Sequence, residues 1–169
     1  MTGGPTPTLR PVRSSDLDFV PGLLTEPGVR RYLMDDKVAS REDIAGLMPR
    51  WIAGLAWIIE MPQPVGLVSV GPVHPALVEL APALTDEWEI TIALSERAWG
   101  RGVADIACRQ ALAQAFASSR RPSILGIVDA PNRRSHALMT RLGFKPEGHM
   151  AGIVHELQLY RVARPIGPS

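Results

Sequence analysis

The apolar positions along this chain fall into two kinds of run, one typical of strands and the other of helices. Short aliphatic or β-branched runs bounded by turn-forming residues predict strands. The predicted strands cover residues 8–12, 56–60, 65–71, 90–94, 123–128, 144–150 and 153–161. Pro11 fits the first of these only at a sheet edge, because proline lacks the N–H that a central strand needs.

Between these strands, apolar residues recur at the spacing that is typical of helices. Helices are predicted to begin with Ser14 or Ser15 as the cap, at Pro27, after Ser40, at Val103, and after Asn132 as the cap. The helix over 103–118 is apolar on nearly every side, which predicts a buried helix. Residues 72–85 contain three prolines and are predicted to form a loop with a fragment of strand.

The order of the elements predicts a mixed α/β architecture. Strand 90–94, helix 103–118 and strand 123–128 form a crossover unit, and such a unit joins parallel strands. Two predicted hairpins add antiparallel strands. The chain has 169 residues, enough for one domain. We expect that domain over residues 8–162, with flexible tails at 1–7 and 163–169.

Composition and charge narrow the class of protein. Apolar residues make up 46% of the chain, and 18 basic residues balance 17 acidic ones, so the net charge is +1. This balance argues against a nucleic-acid or membrane-surface binder, which usually carries a basic excess. The single cysteine and the lack of a signal-peptide pattern predict a cytoplasmic protein. The four histidines lack metal-ligand spacing, so we expect no metal.

The most informative stretch is a strand that leads through a glycine-rich turn into a helix. Residues 97–102, with the sequence RAWGRG, connect strand 90–94 to the helix at Val103. Glycines let the backbone approach an anion, and the first turn of a helix favours negative charge. The turn therefore predicts a phosphate-binding loop, with an ordinary strand-to-helix turn as the alternative. It matches neither the G-x-G-x-x-G pattern nor the P-loop pattern.

The segment Arg97-x-x-Gly100-x-Gly102 resembles the R/Q-x-x-G-x-G/A loop that holds the coenzyme A pyrophosphate in the GNAT superfamily of N-acyltransferases. Further segments resemble the same family in the expected order. They are Leu9-Arg10-Pro11-Val12, Pro64-Val65-Gly66-Leu67-Val68, Asn132-Arg133-Arg134-Ser135 and Arg141-Leu142-Gly143-Phe144. The resemblance covers residues 8–162 and is closest to the branch that includes the ribosomal-protein N-terminal acetyltransferases.

The resemblance implies a twisted mixed sheet of six or seven strands with helices on both faces, and acetyl-CoA as co-substrate. In the family, the fourth and fifth strands splay apart and the pantetheine arm lies between them. The residues that the resemblance implies for cofactor binding are Ile92, Ala93, Leu94, Arg97, Gly100, Arg101, Gly102, Val103, Ala104, Asn132 and Ser135.

Amine acetylation needs a base for the amine proton and a donor for the leaving thiolate. We predict that Glu89 is the base, because related enzymes commonly carry a glutamate at this distance before the loop. A solvent-facing strand glutamate is the alternative. Ser135 is a candidate catalytic donor, with an ordinary first-turn serine as the alternative. Many relatives have a tyrosine where this chain has Met139, which cannot donate a proton. Ser135, Tyr160 and water therefore stay open as the acid, and so does departure of the thiolate without an acid.

The leading hypothesis is an N-acetyltransferase that acts on a primary amine, either a peptide N-terminus or a small amine. A non-catalytic acyl-CoA-binding domain is the rival. Transfer of a larger acyl group such as succinyl is a third hypothesis, which would need a basic residue such as Arg30 or Arg31 near the acyl end. Tyr32 and Met34 are predicted to line the acceptor site. The family resemblance also suggests a homodimer.

Overall fold

A computed structural model describes residues 4–167 and contains one seven-stranded mixed sheet. The strands are β1 Thr8–Pro11, β2 Leu55–Glu60, β3 Pro64–Pro72, β4 Trp88–Leu94, β5 Ser123–Asp129, β6 Lys145–Ala151 and β7 Glu156–Ala163. Their order in the sheet is β1-β2-β3-β4-β5-β7-β6. The mixed α/β fold with six or seven strands is thereby confirmed.

Six α-helices lie between the strands in the described part of the chain. They are α1 Val20–Thr25, α2 Pro27–Leu33, α3 Arg41–Ala53, α4 Pro75–Leu80, α5 Val103–Ser118 and α6 Arg133–Arg141. Short 3-10 turns occur at Ser14–Asp18, Pro82–Leu84 and Glu96–Ala98. The predicted start of α3 after Ser40 is confirmed, and the Ser40 side chain caps the helix by accepting from the Asp43 N–H. No helix in residues 4–167 is long and apolar enough to cross a bilayer.

The described residues fall into two compact units, 4–70 with 91–111, and 71–90 with 112–167. In the first unit, β1 pairs with β2 and β2 pairs with β3, both antiparallel. Its core joins α1 and α3 to the sheet. Core members include Val20, Leu23, Leu24, Ile44, Ile58 and Ala93. Pro11 lies in the strand at the sheet edge, as predicted.

In the second unit, β5 pairs with β7 and β7 with β6, both antiparallel. Glu89 of β4 lies opposite Leu125 of β5 in a parallel pairing, which confirms the predicted crossover. Leu125 also belongs to a small core with Val73 and Leu84. Arg161 of β7 makes two hydrogen bonds to the Glu87 carboxylate and so ties two segments of this unit together.

Three predictions about local structure are wrong. Within residues 72–85, Pro75–Leu80 form a helix and Pro82–Leu84 a 3-10 turn, where a loop with a fragment of strand was predicted; Pro75 and Pro82 each stand at a helix start, where a missing N–H does no harm. The last strand begins at Glu156 rather than at residue 153. The first helical turn is preceded by Arg13, with Asp16 accepting from the Arg13 N–H, rather than being capped by a serine.

The first two residues of the expected C-terminal tail have defined contacts. Ala163 is still in β7, and the Arg164 guanidinium donates to the carbonyl oxygens of Phe116, Ser119 and Arg121. The C-terminal segment is therefore anchored through residue 164. Residues 1–3 and 168–169, which belong to the expected tails, lie outside the described residues.

Candidate functional site

The loop between β4 and α5 has the backbone that the sequence predicts for an anion site. Gly100 and Gly102 adopt φ angles of 70° and 73°, in the left-handed region that favours glycine. A Cβ atom at either position would meet no neighbour, so glycine is required by backbone conformation and not by crowding. Arg101, between them, is exposed. Alternating backbone conformations of this kind turn successive N–H groups towards one point.

Helix α5 begins directly after this loop and supplies further donors. The Ile106 N–H bonds to the Gly102 carbonyl at 3.2 Å, which places Gly102 at the start of the helix. The N–H groups of the first turn, including those of Val103 and Ala104, have no acceptor within the helix. The helix is 16 residues long, so its N-terminal dipole is fully developed. Loop and helix together can hold a phosphate group.

Two side chains fix the loop to its own unit. The Arg97 guanidinium donates to the Pro64 carbonyl at 2.6 Å, and the Trp99 indole N–H donates to the Leu94 carbonyl at 2.8 Å. Trp99 therefore closes the turn from strand to loop. Arg97 is exposed and retains other N–H groups that can face an anion.

The end of β4 presents a tightly packed backbone. Ala93 is buried, and its carbonyl oxygen lies 2.6 Å from where a Cβ atom of Gly66 would be. Glycine in β3 is therefore needed for the close approach of the two backbones. Ile92 and Leu94, on either side of Ala93, are half-buried.

Glu26 and Glu96 are functional candidates that the sequence reasoning missed. Glu26 precedes α2, and its carboxylate accepts from the Glu96 N–H and from the Ser95 hydroxyl, both at 2.8 Å. In return, the Glu96 carboxylate accepts from the Gly28 N–H in the first turn of α2, at 2.9 Å. We refer to this pair of caps as the Glu26–Glu96 exchange. The two glutamates are 70 residues apart in sequence, so no local pattern reveals them.

In the second unit, Glu89 anchors the start of α4. Its Oε1 atom accepts from the His74 N–H at 3.0 Å, and His74 is the residue that caps this helix. The side chain is half-buried in β4. One carboxylate oxygen thus has a structural role, and a carboxylate can accept further hydrogen bonds or a proton through its second oxygen.

Asn132 and Ser135 form a linked pair at the start of α6. The Asn132 Oδ1 atom accepts from the Ser135 N–H at 3.3 Å, which confirms the predicted cap. The Asn132 amide donates one hydrogen to Ser135 Oγ at 3.0 Å. Because Ser135 Oγ already accepts, its own hydroxyl hydrogen can point to another group.

Met139, at the position where many relatives have a tyrosine, is buried in the second unit. Met139 is 4% exposed, and its sulfur packs on Gly126 of β5, where an added Cβ atom would collide with it. Tyr160 has its O–H group 2.7 Å from His136 Nδ1, while His136 Nε2 lies 3.0 Å from the Ala130 carbonyl. A carbonyl only accepts, so Nε2 carries the hydrogen and Tyr160 donates to Nδ1.

Burial raises the pKa of the Tyr160 hydroxyl above its ordinary value. The hydroxyl hydrogen is therefore retained near neutral pH and is committed to the histidine. This contact ties β7 to the first half of α6, which makes Tyr160 a less suitable acid than Ser135. Cys108 is fully buried, and burial raises the pKa of its thiol to about 12, in keeping with an unreactive side chain.

The residues predicted for the acceptor lie at the end of α2. Tyr32 is in the last turn, and Met34 follows the helix; both are half-buried. Arg30, a candidate for a larger acyl group, donates to Asp36 Oδ1 at 3.0 Å and to the Thr25 carbonyl at 3.1 Å. Its guanidinium is thus engaged within its own segment, whereas Arg31 is exposed.

A groove of about 390 Å³ lies at the tip of the β6–β7 hairpin. His149 of β6 pairs with Glu156 of β7, and His155 pairs with Asp129 of β5, each at 3.0 Å. The first pair joins the two strands of the hairpin, and the second joins the hairpin to β5. Within residues 4–167, no group of three or more His, Cys, Asp or Glu side chains could hold a metal ion.

A family model described as an acetyltransferase (GNAT) domain matches residues 8–145. Solved structures agree with the match. The chain is 20% identical to a spermidine N-acetyltransferase from Vibrio cholerae, solved with CoA and spermine, with a TM-score of 0.73 over 94% of this chain and 95% of that one. It is 15% identical to AAC(6')-Ib, solved with ribostamycin and coenzyme A, with a TM-score of 0.79 over 94% of both chains.

An N-acetyltransferase from Staphylococcus aureus Mu50 has the same fold. Its TM-score is 0.74 at 18% identity, over 94% of this chain and 98% of that one. At these identities the structures show a shared fold. The family match rests on the sequence itself and covers more than half of the chain.

Proposed function

Because the chain belongs to the GNAT acetyltransferase family, we propose that it transfers an acetyl group from acetyl-CoA to a primary amine. The observation that carries this proposal is the loop after β4, where two glycines with positive φ lead into a 16-residue helix. This backbone fits a pyrophosphate, because its N–H groups and the helix dipole favour an anion at the same point.

The proposed cofactor contacts follow the order of the chain. Arg97, Gly100, Arg101, Gly102, Val103 and Ala104 would hold the pyrophosphate. The backbone of Ile92, Ala93 and Leu94 would bind the pantetheine amides, and Asn132 with Ser135 would contact the arm nearer the thioester. We further propose that residues 8–162 work as one GNAT domain.

We propose that Glu89 accepts the amine proton as general base. The hydrogen bond from the His74 N–H holds this carboxylate in a defined position, and a positioned carboxylate is suited to accept a proton. Ser135 is the proposed donor to the leaving thiolate, since its hydroxyl accepts from Asn132 and keeps its own hydrogen for donation. The bond between nitrogen and the acetyl carbon forms as the carbon–sulfur bond breaks, with one proton lost by the amine and one gained by the thiolate.

The acceptor is proposed to be a small amine or the N-terminus of a peptide. The Vibrio cholerae structure contains spermine and the AAC(6')-Ib structure contains ribostamycin. The sequence resemblance to the branch that includes the ribosomal-protein N-terminal acetyltransferases favours a peptide instead. Tyr32 and Met34 are proposed to line the acceptor site. A homodimer and a cytoplasmic location remain predictions from the sequence.

Met139 supports one alternative, a domain that binds acyl-CoA without catalysis, since it removes the usual proton donor. Transfer of succinyl is less supported, because Arg30 is already engaged by Asp36 and Thr25. An assay of thiol release with acetyl-CoA and succinyl-CoA, run against polyamines, aminoglycosides and short peptides, separates these functions. We expect release with acetyl-CoA and at least one amine class. If the protein binds the cofactor but no amine of the panel causes thiol release, the non-catalytic alternative is favoured.

A further inference from the structure

The Glu26–Glu96 exchange lies directly before the phosphate-binding loop. Glu96 begins the 3-10 turn Glu96–Ala98, and Gly100 follows only two residues after that turn. Neither the 3-10 turn nor α2 is capped by the side chain of its own preceding residue. Each of these starts therefore takes its side-chain cap from the other segment.

The first turn of α2 is packed closely against the same segment. An added Cβ atom at Gly28 would collide with Glu96 Oε1 and with the outer edge of the Trp99 indole ring. The indole N–H of Trp99 donates to the Leu94 carbonyl, so one edge of the ring is held by β4 and the outer edge by the start of α2. Ser95 is 4% exposed, and its hydroxyl is satisfied by the Glu26 carboxylate. The start of α2 thus holds residues 95–99 from several directions.

The two carboxylates of the exchange also oppose phosphate binding electrostatically. Glu26 and Glu96 bring two negative charges to the segment that leads into the loop. Coulomb repulsion alone would make a polyphosphate bind more weakly in their presence. Their hydrogen bonds act in the opposite direction, because a loop already held in its bound conformation loses less entropy when a ligand binds.

We propose that Glu26 and Glu96 are positioning residues, which hold the phosphate-binding loop through α2 and thereby strengthen CoA binding in spite of their charge. The inference rests on the proposed function of the loop. It also couples α2, which carries the candidate acceptor residue Tyr32, to the cofactor loop. No contact between either glutamate and the cofactor is required.

Alanine and glutamine variants separate charge from positioning. Glu96→Gln keeps an oxygen that can accept from the Gly28 N–H. Glu26→Gln keeps an oxygen for the Glu96 N–H, and its amide can donate to the Ser95 hydroxyl, which is able to accept. Both alanine variants lose these bonds. All four variants remove one negative charge, so the two explanations predict different results.

We would measure the Kd of CoA by calorimetry, with Glu42→Ala as control, because Glu42 is an exposed glutamate in the first turn of α3. We expect Kd to rise roughly tenfold in Glu26→Ala and Glu96→Ala, in line with the loss of a cap. Both glutamine variants should stay within about twofold of the wild type. Hydrogen exchange should accelerate at residues 95–102 in the alanine variants and stay unchanged in α3.

Tighter CoA binding in the alanine variants, or equal Kd values in all variants, would overturn the proposal. If an alanine variant does not fold, Gly28→Ala tests the same contact, since it displaces Glu96 and Trp99 while keeping both charges; we expect weaker CoA binding there too. A wild-type protein that fails to bind CoA would refute the proposed function itself. That outcome is distinct from wild-type binding that is insensitive to the exchange.

Discussion

Replacing Gly102 by alanine tests whether the loop needs its left-handed backbone. The φ angle of Gly102 is 73°, and a Cβ atom there would meet no neighbour. The cost is therefore the intrinsic one of a left-handed alanine, roughly 1–2 kcal/mol. For a chain of this size, such a loss lowers the melting temperature by roughly 2–8 °C.

Gly46→Ala is a matched control for this substitution. Gly46 lies inside α3, also in open space, and has no positive φ angle. Alanine is favoured over glycine in a helix by about 0.5–1 kcal/mol, so this variant should be more stable than the wild type. The free energies of unfolding of the two variants should therefore differ by roughly 1.5–3 kcal/mol.

The assay is urea unfolding followed by circular dichroism, together with the melting temperature and the Kd of CoA. Gly102→Asn should lose less stability than Gly102→Ala, because asparagine adopts left-handed backbone more readily. Gly102→Ala should bind CoA more weakly, and Gly46→Ala should bind it as the wild type does. If Gly102→Ala matched the wild type in both stability and affinity, the loop would not depend on this conformation.

Three further predictions concern other parts of the chain. Glu89→Gln should lower kcat at least tenfold at neutral pH, because an amide cannot accept the proton, although it can still accept from the His74 N–H. Tyr160→Phe should lower the free energy of unfolding by roughly 1–3 kcal/mol, since it removes the hydrogen bond to His136. Asp16→Asn should remove the stability that the wild type loses on acidification, measured as free energy of unfolding against pH.

The sign of the Asp16 effect follows from its surroundings. Burial raises the pKa of its carboxyl, but hydrogen bonds from Arg10 and the Arg13 N–H outweigh burial and lower it below the ordinary 3.8. The stabilisation is therefore complete above that value and is lost as the pH falls through the folded pKa. A wild type and an Asp16→Asn variant with the same acid profile would contradict this assignment.

The Glu89 prediction has a matched control, and both remaining predictions have an outcome that would contradict them. Glu79→Gln, at an exposed position of α4, should leave kcat unchanged. Wild-type turnover in Glu89→Gln would contradict its role as general base and leave only its structural role at the start of α4. Unchanged stability in Tyr160→Phe would mean that water replaces the hydroxyl at His136 without loss.

The parts of the fold that the sequence predicts well are those governed by local pattern. The apolar run of β4, the glycines of the loop and the apolar helix α5 follow one another in sequence, so their structure could be predicted together. The prolines of residues 72–85 were misleading, because proline both breaks helices and begins them. In the structure, His74 caps α4 and Pro75 is its first residue, so this proline begins a helix.

Contacts between distant segments could not be predicted from the sequence. The Glu26–Glu96 exchange joins residues 70 positions apart, and neither glutamate follows a pattern that identifies its partner. The Tyr160–His136 bond likewise depends on how β7 and α6 meet. Met139 was identified in the sequence as a departure from the family, but its packing on Gly126 is visible only in the structure.

The most direct test of the account is a calorimetric titration of the wild type with acetyl-CoA, beside an Arg101→Ala/Gly102→Asp double variant. The variant removes one positive charge and places a carboxylate at the helix start, where it would repel a pyrophosphate. We predict micromolar binding by the wild type and its loss in the variant. Absence of binding by the wild type, or equal affinity in both proteins, would contradict the claim that this loop holds coenzyme A.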